Sequence, residues 1–405
     1  MGNVSYTDVG AHAGSSYFPR KVSLIGGGRW ARIIAEVLIT QVSPSVELTI
    51  HSIHNAKELS AWVSKFDSEK RIKVESVWPE LTNESCSAVI IANAARDHAK
   101  AIEFALSSEI PVLVEKPLTL SSESSRRLID LARIQGTRFA ASHVFLYARY
   151  IENFAKLVTK EGELLSLQFD WIDPKSEIRY GEFKKYDSLL PIYADILPHI
   201  ISIFDYLLPN LEQSCKSLVF SRGGARLELE IIVGNVPCKI YLERNGASRT
   251  RSIEVKTTKQ VFKLDFSQEP GFISTESQII PGDFNWEVGK RPIASMLTAF
   301  LNWAAGGQYD NRLSVELGLK SNQMIDQVSE FYDIAMLDWL KSILVNPTYS
   351  IEDDVLYAFA EILNIDKANS SEMEIKRKLD QIRESLLNTA DVSLSQLLGK
   401  IKTRQ

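Results

Sequence analysis

The chain of 405 residues is 45% hydrophobic and 24% charged, with a formal net charge of −5 at pH 7. That length and apolar content predict two or more domains with a large core. The lack of a basic field argues against nucleic acid or an anionic membrane as a partner.

The cysteines, Cys86, Cys215 and Cys238, are scattered and odd in number. They point to a reducing, cytoplasmic setting, form no metal-site spacing and read as small buried apolar residues. No segment has the length or apolarity of a membrane span. Residues 1–20 lack the charged-then-apolar order of a secretory signal, and Tyr6 stands where a myristoylation pattern wants Ser or Thr. They are expected to form a flexible arm.

From residue 21 to about 145, strand-like and helix-like patterns alternate. Strands are predicted over Val22–Ile25, Glu47–His51, Ile72–Val74, Ala88–Ala92, Val112–Glu115 and Arg138–Ser142. Helices are predicted over Trp30–Ile39, Ala56–Phe66, Asp97–Ser107 and Ser122–Gln135. This rhythm implies a parallel, doubly wound sheet that takes its ligands at the carboxyl ends of its strands.

The first strand breaks into Gly26-Gly27-Gly28, and a helical pattern starts at Arg29. Read against G-x-G-x-x-G/A, the fit is Gly26, Gly28 and Ala31. Such a turn lets the backbone approach a pyrophosphate, and the free N–H groups of the helix hold the anion. A glycine turn also serves as a plain loop; the strand before and the helix after favour a dinucleotide site.

After Tyr150 the character changes, and residues 146–345 read as a second, α+β domain. A helix is predicted over Ile151–Lys160 and a strand over Leu164–Trp171, then a helical stretch carrying Tyr193, Asp195 and His199. Further strands are predicted over Lys216–Phe220, Arg226–Val233, Pro237–Arg244, Ser252–Lys256 and Gln260–Phe266. Polar turns between them, such as Arg244-Asn245-Gly246, imply a largely antiparallel open sheet. Pro292–Ala305 and Val315–Leu344 read as amphipathic helices. Asn346-Pro347 marks a boundary. Beyond it, 346–405 reads as a short helical appendage over Glu352–Ile365, Glu372–Leu387 and Ser393–Ile401. It faintly resembles a carrier-protein helical pattern without the Asp-Ser-Leu attachment signature, so a packing or oligomerisation element is the preferred reading.

Two groups can carry chemistry. An apolar strand ends in Glu115-Lys116-Pro117, and the proline biases Lys116 toward an extended backbone. A lysine at that strand end projects into the ligand crevice, where it can donate a proton or hydrogen bond to a substrate oxygen. The competing reading is a surface Glu-Lys pair. Asp195 and His199, four residues apart, lie on one helix face, so carboxylate and imidazole can converge on one substrate. The competing reading is a helix-surface ion pair. No further histidine or carboxylate is placed to complete a metal site.

Together, the glycine turn, the E-K-P strand end and the Asp-x-x-x-His helix resemble the Gfo/Idh/MocA family, whose members are glucose–fructose oxidoreductase-like and inositol dehydrogenase-like enzymes. The resemblance covers roughly residues 20–340. Ile91-Ala-Asn-Ala-Ala-Arg-Asp-His98 is similar to the family's A-T-P-x-x-x-H segment, with Asn93 and Ala94 in place of Thr and Pro. Ser142-His-Val-Phe-Leu-Tyr-Ala-Arg149 is similar to the stretch that crosses between domains. Ala194-Asp195-Ile-Leu-Pro198-His199 is similar to the D-x-x-P-H helix, especially that of sugar-nucleotide dehydrogenases.

The resemblance implies a Rossmann domain that holds a nicotinamide dinucleotide through Gly26, Gly28, Arg29, Trp30, Ser52, Asn93, His98 and Glu115. His98 is implied near the nicotinamide edge, although it also reads as a plain helix-start residue. The resemblance implies Lys116, His199 and Asp195 as catalytic, and these with Arg149 as substrate-binding. It also implies a homo-oligomer formed through the open sheet face.

NAD-binding folds place Asp or Glu after the second strand. Here Thr49-Ile50-His51-Ser52-Ile53-His54-Asn55 has no acid. That removes repulsion toward a 2′-phosphate, to which Ser52, His51 or His54 can donate, with Arg29 nearby; NADP is favoured over NAD. The expected activity is hydride transfer between nicotinamide and a secondary alcohol or ketone of a sugar-like small molecule. The alternatives are a catalytically silent dinucleotide sensor or assembly subunit, and a reductase of an imine or carrier-tethered intermediate.

Overall fold

The computed structural model describes residues 19–345, apart from positions 44, 83, 180–181, 184–185, 188–189 and 289, together with residue 377. The arm expected over 1–20 and the helical appendage expected over 346–405 lie outside the described residues, save 19, 20 and 377. No helix among the described residues is long and apolar enough to cross a membrane.

The first lobe runs β1 (Lys21–Ile25), α1 (Arg29–Val37), β2 (Glu47–His51), α2 (Ala56–Phe66), β3 (Ile72–Glu75), β4 (Ala88–Ile91), α3 (His98–Ser107), β5 (Val112–Val114), α4 (Ser122–Gln135) and β6 (Phe139–Ala141). Its six strands are all parallel, in the order β3-β2-β1-β4-β5-β6. Strands buried on both faces need apolar residues at every position. In β4 all of Ala88–Ile91 are buried, Ala88 and Ile90 packing into one core, Val89 and Ile91 into another. The order reverses between β1 and β4, so a crevice opens where both strands end. Local signals set α4: Ser121 caps its start by accepting from the Ser124 N–H, and Gly136, at φ 66°, ends it in a left-handed turn.

The second lobe runs α5 (Arg149–Lys160), β7 (Leu164–Pro174), β8 (Ile178–Arg179), β9 (Glu182–Phe183), α6 (Ile192–Leu207), β10 (Gln213–Ser221), β11 (Arg226–Val233), β12 (Val236–Gly246), β13 (Thr250–Thr257), β14 (Val261–Asp265), β15 (Phe272–Ser274), β16 (Ile279–Pro281), α7 (Pro292–Ala304) and α8 (Val315–Val345). Eight strands form one sheet in the order β10-β11-β12-β7-β13-β14-β15-β16, antiparallel except where β12 meets β7. Period-two patterning explains its sidedness. Leu227, Leu229, Ile231 and Val233 of β11 point into the core, while Glu228 and Glu230 face outward.

Arg244-Asn245-Gly246 is not the polar turn the sequence predicted. It is the end of β12, bent by an irregularity against β7 between Glu243 and Gly246. Arg244 is buried, because its charge is met by groups distant in the chain. The β12–β13 connection lies instead at residues 247–249, between Gly246 and Thr250.

His143, just after β6, fastens the first lobe to the segment before α8. Its Nε2 lies 2.9 Å from the Ser314 carbonyl oxygen. Burial holds its pKa down at about 4, against an ordinary 6.5. Between those pH values the unfolded chain takes up a proton that the folded chain refuses. This group therefore costs stability as pH falls from 6.5 to 4, by at most about 1.4 kcal/mol per pH unit. Thermal melts of His143→Gln are expected to show a shallower loss of Tm across this window than the unsubstituted protein; equal slopes contradict the assignment.

Candidate active site

A cavity of about 840 Å³ opens at the ends of β1, β2, β4 and β5 and is closed by α6 and the second sheet. Its floor is the glycine turn, and the three glycines have different reasons to be there. Gly26 has φ +141°, and a Cβ on it would stand 2.4 Å from the Ala92 carbonyl oxygen. A Cβ on Gly27 would meet Ser52 Oγ at 2.0 Å. Gly28 is the N-cap of α1, at φ −80°, and a Cβ there would meet nothing within 4 Å. The protein's own packing demands the first two; the third keeps cavity space clear. No side chain caps α1, so its first N–H groups remain for an anion. Asn93, on the same wall, has a buried Oδ1 with no hydrogen-bond partner among the described residues. An open glycine, an uncapped helix start and an orphaned amide oxygen fit a dinucleotide.

Glu115 and Lys116 follow β5 and diverge. The Glu115 carboxylate is buried; Ser142 Oγ donates to it at 2.8 Å and the Lys116 backbone N–H at 3.3 Å. Burial pushes its pKa up, against the pull of Trp30, Ser142 and Lys116. Lys116 instead reaches the second lobe. Its Nζ donates to the Asp195 carbonyl oxygen at 2.9 Å and forms an ion pair with the Asp195 carboxylate. The other carboxylate oxygen of Asp195 lies 3.6 Å from Arg244 Nη2, which also donates to the Leu190 carbonyl at 2.9 Å.

His199 stands one turn further along α6, after Pro198. Among the described residues neither ring nitrogen has a hydrogen-bond partner. Aromatic packing sets the ring plane: Trp171 stacks on it at 5.5 Å and 13°, and Phe145 meets it edge-on at 5.0 Å. Burial pushes the imidazole well below 6.5; the charges of Lys116 and Arg251 add to this, and Asp195 opposes it. The ring is therefore neutral at neutral pH.

The structure brings Gly26, Gly28, Arg29, Trp30, Ser52, Asn93, His98, Glu115, Lys116, Asp195 and His199 to the wall of this one cavity. Four expectations need correction or narrowing. Arg149, expected to bind substrate, lies outside the lining, at the start of α5, and points to Asp283 at 3.5 Å. His98 is buried with Nδ1 2.8 Å from the Pro117 carbonyl and Nε2 3.3 Å from that of Asn93, so it ties two loops together instead of presenting a nitrogen to a ligand. His51 lines the cavity with one nitrogen already engaged: its Nδ1 faces the Val77 carbonyl at 3.3 Å and Glu75 at 3.7 Å, which leaves only Nε2 for the expected phosphate contact. The competing reading of Asp195 and His199 as a helix-surface ion pair also fails: the Asp195 carboxylate pairs with Lys116 and lies 3.6 Å from Arg244.

Arg244, Trp171 and Arg251, which shape the site, were not singled out from the sequence. An arginine at an inward position of a strand is the one signal they carried.

Gly28→Ala is expected to keep the wild-type Tm and weaken NADPH binding by about tenfold or more, roughly the effect of one misplaced group at a tight anion site. Calorimetric titration checks it; unchanged affinity contradicts the role of the turn.

Residues 20–143 match the model GFO_IDH_MocA, an oxidoreductase family with an NAD-binding Rossmann fold. No curated protein matches the chain. Solved structures with the same fold include KijD10, a 3-ketoreductase from Actinomadura kijaniata in complex with TDP-benzene and NADP. It is 18% identical with a TM-score of 0.63, over 76% of this chain and 96% of that one. UDP-N-acetylglucosamine 3-dehydrogenase GnnA from Acidithiobacillus ferrooxidans is 15% identical at TM-score 0.59, covering 78% and 98%. Myo-inositol dehydrogenase from Lactobacillus casei, in complex with NAD(H) and myo-inositol, is 15% identical at TM-score 0.61, covering 77% and 94%. At these identities the likeness speaks for the fold. Residues 20–143 are thus similar to the NAD-binding Rossmann domain of the Gfo/Idh/MocA oxidoreductases.

Proposed function

We propose that the protein transfers a hydride between a nicotinamide cofactor and a secondary alcohol or ketone of a sugar-like substrate. The observation that carries this reading is the meeting of Lys116, from the first sheet, with Asp195 and His199, from α6, in the cavity floored by the glycine turn. The bound nicotinamide supplies the hydride chemistry. Gly26–Gly28 and the start of α1 would hold the pyrophosphate, with Arg29, Trp30, Ser52, Asn93 and Glu115 along the same crevice.

The chain's own residues supply the rest. Lys116, held by Asp195, presents its ammonium to the carbinol or carbonyl oxygen and stabilises negative charge there. His199, neutral, is in the form that accepts the hydroxyl proton. A sugar-like substrate is supported by the rest of the lining, where the ring of Tyr186 stands among the carboxylates of Asp173, Asp187 and Glu269. Rings suit the apolar face of a sugar, and carboxylates accept from its hydroxyls. The ligands bound in two of the structural neighbours, TDP-benzene and myo-inositol, point the same way. NADP is favoured over NAD because Ser52 and His54, not an acid, line the cavity after β2.

The test follows reduced-nicotinamide absorbance against a panel of sugars and sugar nucleotides. Lys116→Ala is expected to lower turnover by about 10²–10⁴ while NADPH still binds, and more tightly than NADH. Near-wild-type turnover in this variant removes the assignment.

A further inference from the structure

We infer that Arg251 is a positioning residue for His199, acting through the indole of Trp171. The inference deepens the proposed function and rests on His199 as its proton-transfer group. β13 and β7 are antiparallel neighbours, and their register sets Arg251 directly opposite Trp171. The Arg251 guanidinium lies 4.0 Å from the Trp171 ring centroid. It is fixed there by donating to the carbonyls of Ile172 at 2.6 Å and Thr250 at 2.7 Å, and by an ion pair with Asp173. Arg251 is 1% exposed, so this contact is desolvated and strong for its kind. The same indole is the surface on which the imidazole stacks.

His199 needs such a device because, among the described residues, no hydrogen bond orients it. An imidazole held only by packing keeps its plane as long as the surfaces on either side stay put. Phe145 supplies one surface and is itself set edge-on to Trp171 at 5.6 Å. Trp171 supplies the other, and Arg251 holds it down. Arg251 thereby acts twice: it fixes the stacking surface, and it brings a cation close enough to disfavour a protonated ring. The charged or titratable groups that act on His199 are Lys116 after β5, Asp195 on α6, Arg251 on β13 and His143 after β6. Asp173, at the end of β7, is the counter-ion that offsets part of the Arg251 charge.

The test is a histidine-selective NMR titration of the full chain, with His199 assigned by the signal lost in His199→Gln. Arg251→Gln keeps a planar polar group on β13 and removes the charge. Its His199 midpoint is expected to rise by about one pH unit, toward the ordinary imidazole range. Asp173→Asn leaves the Arg251 charge less offset and is expected to move the midpoint down. A folded Arg251→Gln whose midpoint stays within about 0.2 unit of wild type overturns the inference. If that variant does not fold, a midpoint in Asp173→Asn that stays or rises overturns it. Loss of the proposed function has a separate signature: His199→Gln then turns over normally, whatever the titration shows.

Discussion

The ion pair between Lys116 and Asp195 is the contact on which the site depends. It joins a strand end of the parallel sheet to a helix of the second lobe, across the cavity. Both partners are partly buried, at 21% and 25% side-chain exposure, so Coulomb attraction is offset by lost hydration and the net stability is small. Its consequence is positional. An unpaired lysine would extend its long side chain toward water. Here the ammonium is held in the crevice by a carboxylate and a carbonyl of one residue. Asp195 is in turn held by Arg244, which is fully buried and covered by the Tyr186 ring at 4.5 Å.

The charges around that pair explain the state of the histidine. Lys116 and Arg251 both disfavour a proton on His199, and burial disfavours it more. A neutral imidazole beside a lysine ammonium is the division of labour that alcohol oxidation requires: one group takes the proton, the other steadies the oxygen that loses it. In the proposed reaction the cavity is therefore electrostatically prepared before substrate arrives. Nothing in that arrangement selects one substrate over another.

Much of this was legible in the sequence because it is local. The glycine turn lies between a strand and a helix adjacent in the chain, and Ser121 and Gly136 mark the ends of α4 by their own backbone preferences. α2 and α4 fall where periodicity placed them, over Ala56–Phe66 and Ser122–Gln135. Non-local contacts were not legible. Arg244-Asn245-Gly246 has turn chemistry, yet Asp195 and Leu190, far away in the chain, draw Arg244 into the interior. Trp171 and Arg251 are 80 residues apart and meet only through the β7–β13 register. Arg149 lies near the right segment but takes a nearby acid, Asp283, as its partner. Composition does not reveal which of two carboxylates an arginine will face.

The most direct test of the central claim is a crystal structure of the protein with NADP bound. The account predicts the pyrophosphate on Gly26–Gly28 and the nicotinamide ring within roughly 4 Å of both Lys116 and His199, the separation at which groups act on a reacting centre. A dinucleotide bound elsewhere, or a nicotinamide turned away from those two side chains, contradicts it.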